Sequence, residues 1–503
     1  MRLLLINIGN GTEIRIPQGL LYLASAVEAA GHTVSTHDEA LAEDWRESLE
    51  QILASDADVI GLSVYTVPWQ LKRVEEISRA VKAARKSTPV IWGGWHATLY
   101  PRHSVLNENV DIVVRGPGEK AVCELLECLE QGRSLRGVSG LLIKENGQII
   151  DTGPESLDPK YLYPPLNFNI MDFETYLRRH DRGPGILQYI TSRGCHGRCR
   201  FCVMSRLFKG CLLRKPRDQI LTELEAQLRE HKINTIHFSD DNTFRNDAEA
   251  LALCEIVMSV TDGKGMPWRC ATRIDTMSGL SESTYEKLVA SGCKGVVVGI
   301  ESGVDRVLKL MRKGITVSQI HRALAAIRDN GLDESLFFFL FGFTGETKRE
   351  AEQTLGLARE VRRMLAGCDI SLHVYFPGAS DSAWLREDLS GAEASRLSEA
   401  FADYYARHIT GYRVSGTRMR TLRYYFGASR RREESPAGRT SLLRRLLRKL
   451  ALCRIKYGVF ALPFEYYFSS VVLKHLRKAM GRFSPRRKRS GSQEQPRNIE
   501  TML

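Results

Sequence analysis

The sequence predicts an α/β protein in three parts: a layered parallel sheet, a partial (β/α)6 barrel of TIM type, and a basic helical C-terminal region. Three observations predict it. Short apolar runs alternate with helical patterns over roughly the first 150 residues, and after a Gly- and Pro-rich break the same alternation restarts near Ile186. The length of 503 residues exceeds what one hydrophobic core of ordinary size organises.

Candidate strands of the first part are Arg2–Ile8, Thr33–His37, Asp58–Val64, Pro89–Gly93 and Asp111–Val114, with helices at Leu20–Ala30, Trp69–Arg85 and Glu119–Gln131. Strands this apolar, alternating with helices, are buried on both faces, which gives a Rossmann-like layer over residues 1–137. Residues 138–184 read as a hairpin (KENGQIIDTG) and an extended linker (LDPKYLYPPLNF). The barrel, 185–380, has strands at Ile186–Thr191, Thr235–Ser239, Trp268–Thr272, Gly295–Gly299, Ser335–Phe341 and Ile370–Tyr375. Its chemistry is expected at the C-terminal strand ends. Residues 381–483 read as helical and basic, and 484–503 as a disordered tail.

Composition narrows the class. An apolar fraction of 43% and a charged fraction of 26% are those of a globular protein. No uncharged apolar run reaches the length of a membrane span, and the opening MRLLLINIGNG is too short for a secretory signal, so a cytoplasmic protein is expected. The eleven cysteines are then reduced thiols or metal ligands. The net charge of +13 is local. Arg407–Arg489 holds 23 Lys and Arg against three Glu, so the rest of the chain is mildly acidic.

The strongest chemical signal is TSRGCHGRCRFC, where Cys195, Cys199 and Cys202 stand in C-x3-C-x2-C spacing after the first barrel strand. Three thiolates on one loop hold three irons of a [4Fe–4S] cluster and leave the fourth open to chelate a small molecule. Gly194 and Gly197 let the loop wrap. Structural zinc is the alternative, with Cys211 as fourth ligand, although the eight-residue gap suits it poorly.

Over the whole barrel the chain resembles the radical S-adenosylmethionine (SAM) superfamily. The resemblance implies that the open iron binds the amino and carboxylate groups of SAM, that Phe201 packs near its adenine, and that reductive cleavage yields a 5′-deoxyadenosyl radical. It also implies SAM or substrate contacts for Asp240 and Asp241 at the second strand end, for Arg273 at the third and for Glu301 at the fourth. The segment FFFLFGFTGET (337–347) resembles the fifth-strand motif beside adenine.

Four N-terminal segments resemble the cobalamin-binding domain of one radical SAM subgroup: Pro17–Leu20 with LYLAS, IGLSVYT, VIWGGWHATLYP and VVRGPGEKAV. Small residues at strand ends admit a large ligand, and Gly61, Ser63, Gly93 and Gly94 are the candidates. Gly116-Pro117-Gly118-Glu119 stands where the subgroup usually has Gly-Glu-Gly-Glu. The alternative is a generic doubly wound sheet. The D-x-H-x-x-G signature of a lower cobalt ligand is missing; His96 is placed near the nucleotide tail, and the loop Tyr65–Trp69 near the lower corrin face.

The resemblance implies a methyltransferase: one SAM methylates cob(I)alamin, a second supplies the radical, and methylcobalamin then methylates an unactivated carbon of a small-molecule or lipid-like substrate. An external electron donor of flavodoxin or ferredoxin type is implied. The rival reading with the same domains is a cyclase, as in the anaerobic magnesium-porphyrin cyclase subgroup, and a non-catalytic cobalamin-binding regulator is the rival from another class. Nucleic acid is not expected as a partner, since no RNA-binding module follows the barrel. SLLRRLLRKLALCRIK (441–456) is an amphipathic basic helix, which either caps the barrel or lies on anionic membrane.

Overall fold

The computed structural model describes residues 1–9, 14–65, 68–375, 449–451 and 453–455. The hydrophobic run Arg2–Asn7 forms β1, followed by β2 (Thr33–Asp38), β3 (Val59–Ser63), β4 (Val90–Gly93) and β5 (Ile112–Val114). These pair in parallel in the order β2-β1-β3-β4-β5. Alternation sorts the side chains. Leu3 and Leu5 face the helices Gln18–Ala29 and Glu119–Glu130, whereas Leu4 and Ile6 face Pro68–Ala84. In such a sheet the ligand crevice lies at the strand carboxyl ends where the order reverses, between β1 and β3.

The hairpin β6 (Leu141–Glu145) and β7 (Gln148–Asp151) does not belong to a linker. Its first strand adds antiparallel to β5 and covers that otherwise unpaired edge, so the first sheet runs to Asp151 rather than ending at residue 137. The helix Trp45–Ala54 was not expected either. Only Ser48 and Ile52 of it are buried, so it lacks an apolar stripe, and the Asp44 side chain caps it by accepting from the Arg46 N–H at 2.7 Å.

The second sheet follows the predicted pattern. Strands β8 (Ile186–Tyr189), β11 (Thr235–Phe238), β12 (Trp268–Thr272), β13 (Cys293–Glu301), β14 (Leu336–Phe341) and β15 (Asp369–Val374) lie in chain order, all parallel, with β8 and β15 at its ends. That is an open (β/α)6 barrel. Between β8 and β11 the chain adds an antiparallel ribbon, β9 (Ser192–Gly194) with β10 (Leu212–Arg214). Capping boxes start two of the outer helices, Thr316 with Gln319 and Thr347 with Glu350. Among the described residues no helix is long and apolar enough to cross a membrane.

The basic region 381–483 and the tail 484–503 lie outside the described residues except for two short helical pieces. There Ala451 and Ile455 are buried and belong to the same apolar core as the barrel.

The two sheets are joined by a shared interior. Ile14, Ile16 and Leu21 pack into the barrel core, Gln18 Nε2 donates to the Gln188 carbonyl at 2.9 Å, and the Tyr22 hydroxyl donates to the Ile190 carbonyl at 3.1 Å. Behind the turn Gly116–Gly118, Glu155 closes the N-terminus of the helix Glu119–Glu130. Its carboxylate accepts from the Gly118 N–H at 2.8 Å and the Ala121 N–H at 3.1 Å. Burial, reinforced by nearby Glu119, pushes the Glu155 carboxyl up to about 7. A folded value above the unfolded one means that stability is full below about pH 4.5 and declines as pH rises towards 7. The decline is at most about 3 kcal/mol. Chemical denaturation from pH 5 to 8 should show that slope, and Glu155→Ala should flatten it; an equal slope in the variant would assign it elsewhere.

Candidate active site

The cysteine loop begins where β9 ends. Gly194 has φ +87°, and a side chain there would meet the Cys211 carbonyl at 2.5 Å and the Phe208 ring at 2.7 Å, so only glycine turns the chain into the loop. The turn Cys199–Cys202 is closed by the Cys202 N–H on the Cys199 carbonyl at 3.2 Å, and the Ser205 hydroxyl lies 2.8 Å from the Cys199 carbonyl and 2.7 Å from that of Cys202. All three thiols are free. Burial pushes Cys195 up and Cys202 up to about 11, so both stay protonated at neutral pH until a bound cation displaces their protons.

This donor set fits a three-thiolate cluster better than zinc. Three cysteines on one loop leave a tetrahedral zinc site one ligand short, and Cys211, the candidate fourth, is exposed.

The carboxylates after β11 hold the loop. Asp240 is buried, and one of its oxygens accepts from the Thr191 N–H at 3.0 Å, the Thr191 hydroxyl at 2.8 Å and the Ser192 hydroxyl at 2.5 Å. Desolvation pushes Asp240 up to about 6. Asp241 accepts from the Gly194 N–H at 2.8 Å. Both therefore fix the entry to the cysteine loop, a task that their position at a strand end did not announce.

Arg273, at the end of β12, is threaded under the loop. Its Nη1 lies 3.8 Å from Cys199 Sγ and its Nη2 donates to the Lys313 carbonyl at 2.7 Å, while Asp275 accepts from Nε at 2.9 Å. Gly197 admits it: a Cβ there would stand 2.7 Å from Nη1. Glu301 ends β13 in the left-handed region, φ +67°, after a register shift at Gly299. It is paired with the buried Lys313 at 3.1 Å. Phe201 packs with Met311, Phe343 and Tyr375, so the loop aromatic and the segment after β14 form one apolar wall. The Lys313 ammonium sits 5.6 Å from the Phe201 ring centroid.

In the first sheet the glycines divide. Gly94 has φ +85° and its absent Cβ would lie 3.1 Å from the Val64 backbone, so it is needed for the close turn after β4. Gly93 leaves open space at that strand end, with nothing nearer than 3.9 Å, and Ser63 ends β3 beside it. Gly93 and Ser63 leave room for a large ligand at the carboxyl ends of β3 and β4, whereas the missing Cβ of Gly94 faces the Val64 backbone. Gly61 lies inside β3, where a Cβ would meet Leu5 Cδ2 at 2.9 Å. His96 is fully buried with its ring centroid 5.1 Å from that of Tyr100, and burial lowers it to about 3. It is a neutral core histidine. Of the loop Tyr65–Trp69, residues 66 and 67 lie outside the described residues.

Three charged residues are not among the candidate site residues read from the sequence. Lys313 is one. The others are Arg193, two residues before Cys195, and Glu119 of the first sheet, which pair at 2.5 Å across the domains. Arg193 also lies over the Tyr22 ring at 4.3 Å. Glu119 stands in the Gly116–Glu119 stretch and Arg193 in TSRGC, so adjacency to both expected ligand loops was the available signal.

Two family models match: the radical SAM superfamily over residues 189–358 and the B12 binding domain over residues 5–126. A protein of Pyrococcus horikoshii, named an uncharacterised methyltransferase, is 30% identical over 350 residues, covering 69% of this chain and 73% of that one. The anaerobic magnesium-protoporphyrin IX monomethyl ester cyclase of Rubrivivax gelatinosus is 24% identical over 362 residues, covering 68% and 62%. The fold is that of the radical SAM methyltransferase TsrM from Kitasatospora setae, with a TM-score of 0.60 and 21% identity over 74% of this chain and 73% of that one. The chain belongs to the radical SAM superfamily, among the cobalamin-dependent enzymes that carry a B12-binding domain ahead of the barrel.

Proposed function

We propose that the protein transfers a methyl group from cobalamin to an unactivated carbon of a small-molecule or lipid-like substrate. The observation that supports this reading is the largely buried Arg193–Glu119 pair, which ties the strand leading into the cysteine loop to the helix that follows β5 of the first sheet. When bound, the cluster with SAM supplies a carbon-centred radical and the corrin supplies the methyl group. Cys195, Cys199 and Cys202 hold the cluster. Asp240 and Asp241 set the loop's shape, and Phe201 with Phe343 walls the adenine side. Arg273 and Glu301, at the carboxyl ends of β12 and β13, are the candidates to orient SAM or substrate. Gly93, Gly94 and Ser63 border the corrin. A one-electron donor of flavodoxin or ferredoxin type completes the cycle, and the reading includes no nucleic-acid partner.

The similarity to the Rubrivivax cyclase gives a second reading, ring closure on the same frame. Product mass separates the two, because methylation adds one carbon unit and cyclisation does not. The test is anaerobic reconstitution with cobalamin and methyl-labelled SAM against a metabolite extract. Label in a product one carbon unit heavier than its acceptor supports methyl transfer; 5′-deoxyadenosine formed with an unlabelled product contradicts it.

A further inference from the structure

Resting on that reading, we infer that Arg273 and Lys313 form a buried cationic shelf under Cys199 that sets the reduction potential of the cluster, with Glu301 as its opposing charge. Arg273 and Lys313 are both buried; the Arg273 guanidinium reaches the Cys199 sulfur and donates to the Lys313 backbone carbonyl, while the Lys313 ammonium itself pairs with Glu301. The shelf is built: Gly197 leaves the space that the guanidinium fills, and Gly299 leaves the space where a Cβ would lie 2.7 Å from Lys313 Nζ. The electrostatic coupling is mutual. Burial alone would lower the Lys313 ammonium, but Glu301 and then Cys199 more than offset it. For Arg273, Asp275 and then Cys199 and Cys195 do the same. The other ionisable groups at this place are Asp275, paired to Arg273, Asp241 on the Gly194 amide, and His196, held low by burial.

Reduction adds one electron from the external one-electron carrier and no proton, so the cluster gains a full negative charge beside Cys199. A cation and an N–H···S contact at that sulfur stabilise the added charge and raise the potential, and a nearby carboxylate lowers it. Sequence spacing marks neither effect. Arg273 acts through the Cys199 sulfur and Lys313 through its buried charge, which makes them positioning residues with an electronic task.

The experiment is an EPR-monitored redox titration of the reconstituted full-length protein without SAM. At a fixed applied potential, Lys313→Gln should lower the ratio of reduced to oxidised cluster by about tenfold, which is about 59 mV for one electron. Glu301→Gln should raise that ratio, and the double variant should return towards wild type. Arg273→Lys, which keeps the charge and loses the fork, should fall between wild type and Arg273→Gln. A purely structural lesion cannot shift the two neutralisations in opposite directions. Singles that move the same way, or not at all, overturn the proposal. If Lys313→Gln does not assemble a cluster, Glu301→Gln decides alone: an upward shift supports the shelf, and no shift or a downward one overturns it. A wild-type protein that assembles no cluster would instead remove the functional reading beneath it.

Discussion

Replacing any one of Cys195, Cys199 or Cys202 by alanine is expected to bring SAM cleavage to background and to strip the cluster, leaving the fold in place. The reasoning is one of ligand number. Three protein thiolates are the whole protein share of the proposed cluster, so losing one leaves two irons without a protein ligand instead of the single open one. The loop itself should survive, because its shape depends on other groups: Asp240 on Thr191 and Ser192, Asp241 on the Gly194 amide, and Ser205 at the Cys199 and Cys202 carbonyls. Circular dichroism should therefore match wild type while iron and sulfide fall. Cys211→Ala should keep both the cluster and cleavage, since that thiol is exposed. Cleavage retained in a triplet variant, or lost in Cys211→Ala, would assign the ligands wrongly.

Arg193→Met is expected to be the most damaging single change outside the triplet. Glu119 is almost completely buried, and its only charge partner at hydrogen-bond distance among the described residues is Arg193. Removing one partner of such a pair leaves an uncompensated buried carboxylate and costs about 3–5 kcal/mol, a large share of the 5–15 kcal/mol typical of a domain. Because the pair joins the helix Glu119–Glu130 of the first domain to the ribbon β9–β10 of the barrel domain, the loss should show in the denaturant transition, and cobalamin affinity should drop with it. The double variant Arg193→Met with Glu119→Gln should recover most of the stability, since no buried charge is then left alone. A loss below about 1 kcal/mol in the single variant, as for a surface ion pair, would contradict the burial argument.

Legibility in the sequence followed the range of the interactions. The strands and long helices were readable because alternation and helical periodicity are local: Leu3 and Leu5 on one face of β1, Leu4 and Ile6 on the other. The triplet was readable because its chemistry is compressed into one loop. The helix Trp45–Ala54 was not, because it buries so few residues, and the hairpin's membership of the first sheet depends on an edge that only the folded β5 presents. The pairing of Arg193 with Glu119 joins residues far apart in the chain, as does the contact of Arg273 with Cys199, and no spacing rule reaches that far. Gly61 reads in sequence as an opening for ligand, and only the folded sheet shows that a Cβ there would face Leu5.

Metal and acid-labile sulfide analysis of protein purified without oxygen tests the central claim most directly. The account predicts about four irons and four sulfides per chain with a signal from the reduced cluster in EPR. Zinc bound at the thiols, or iron without sulfide, would contradict it.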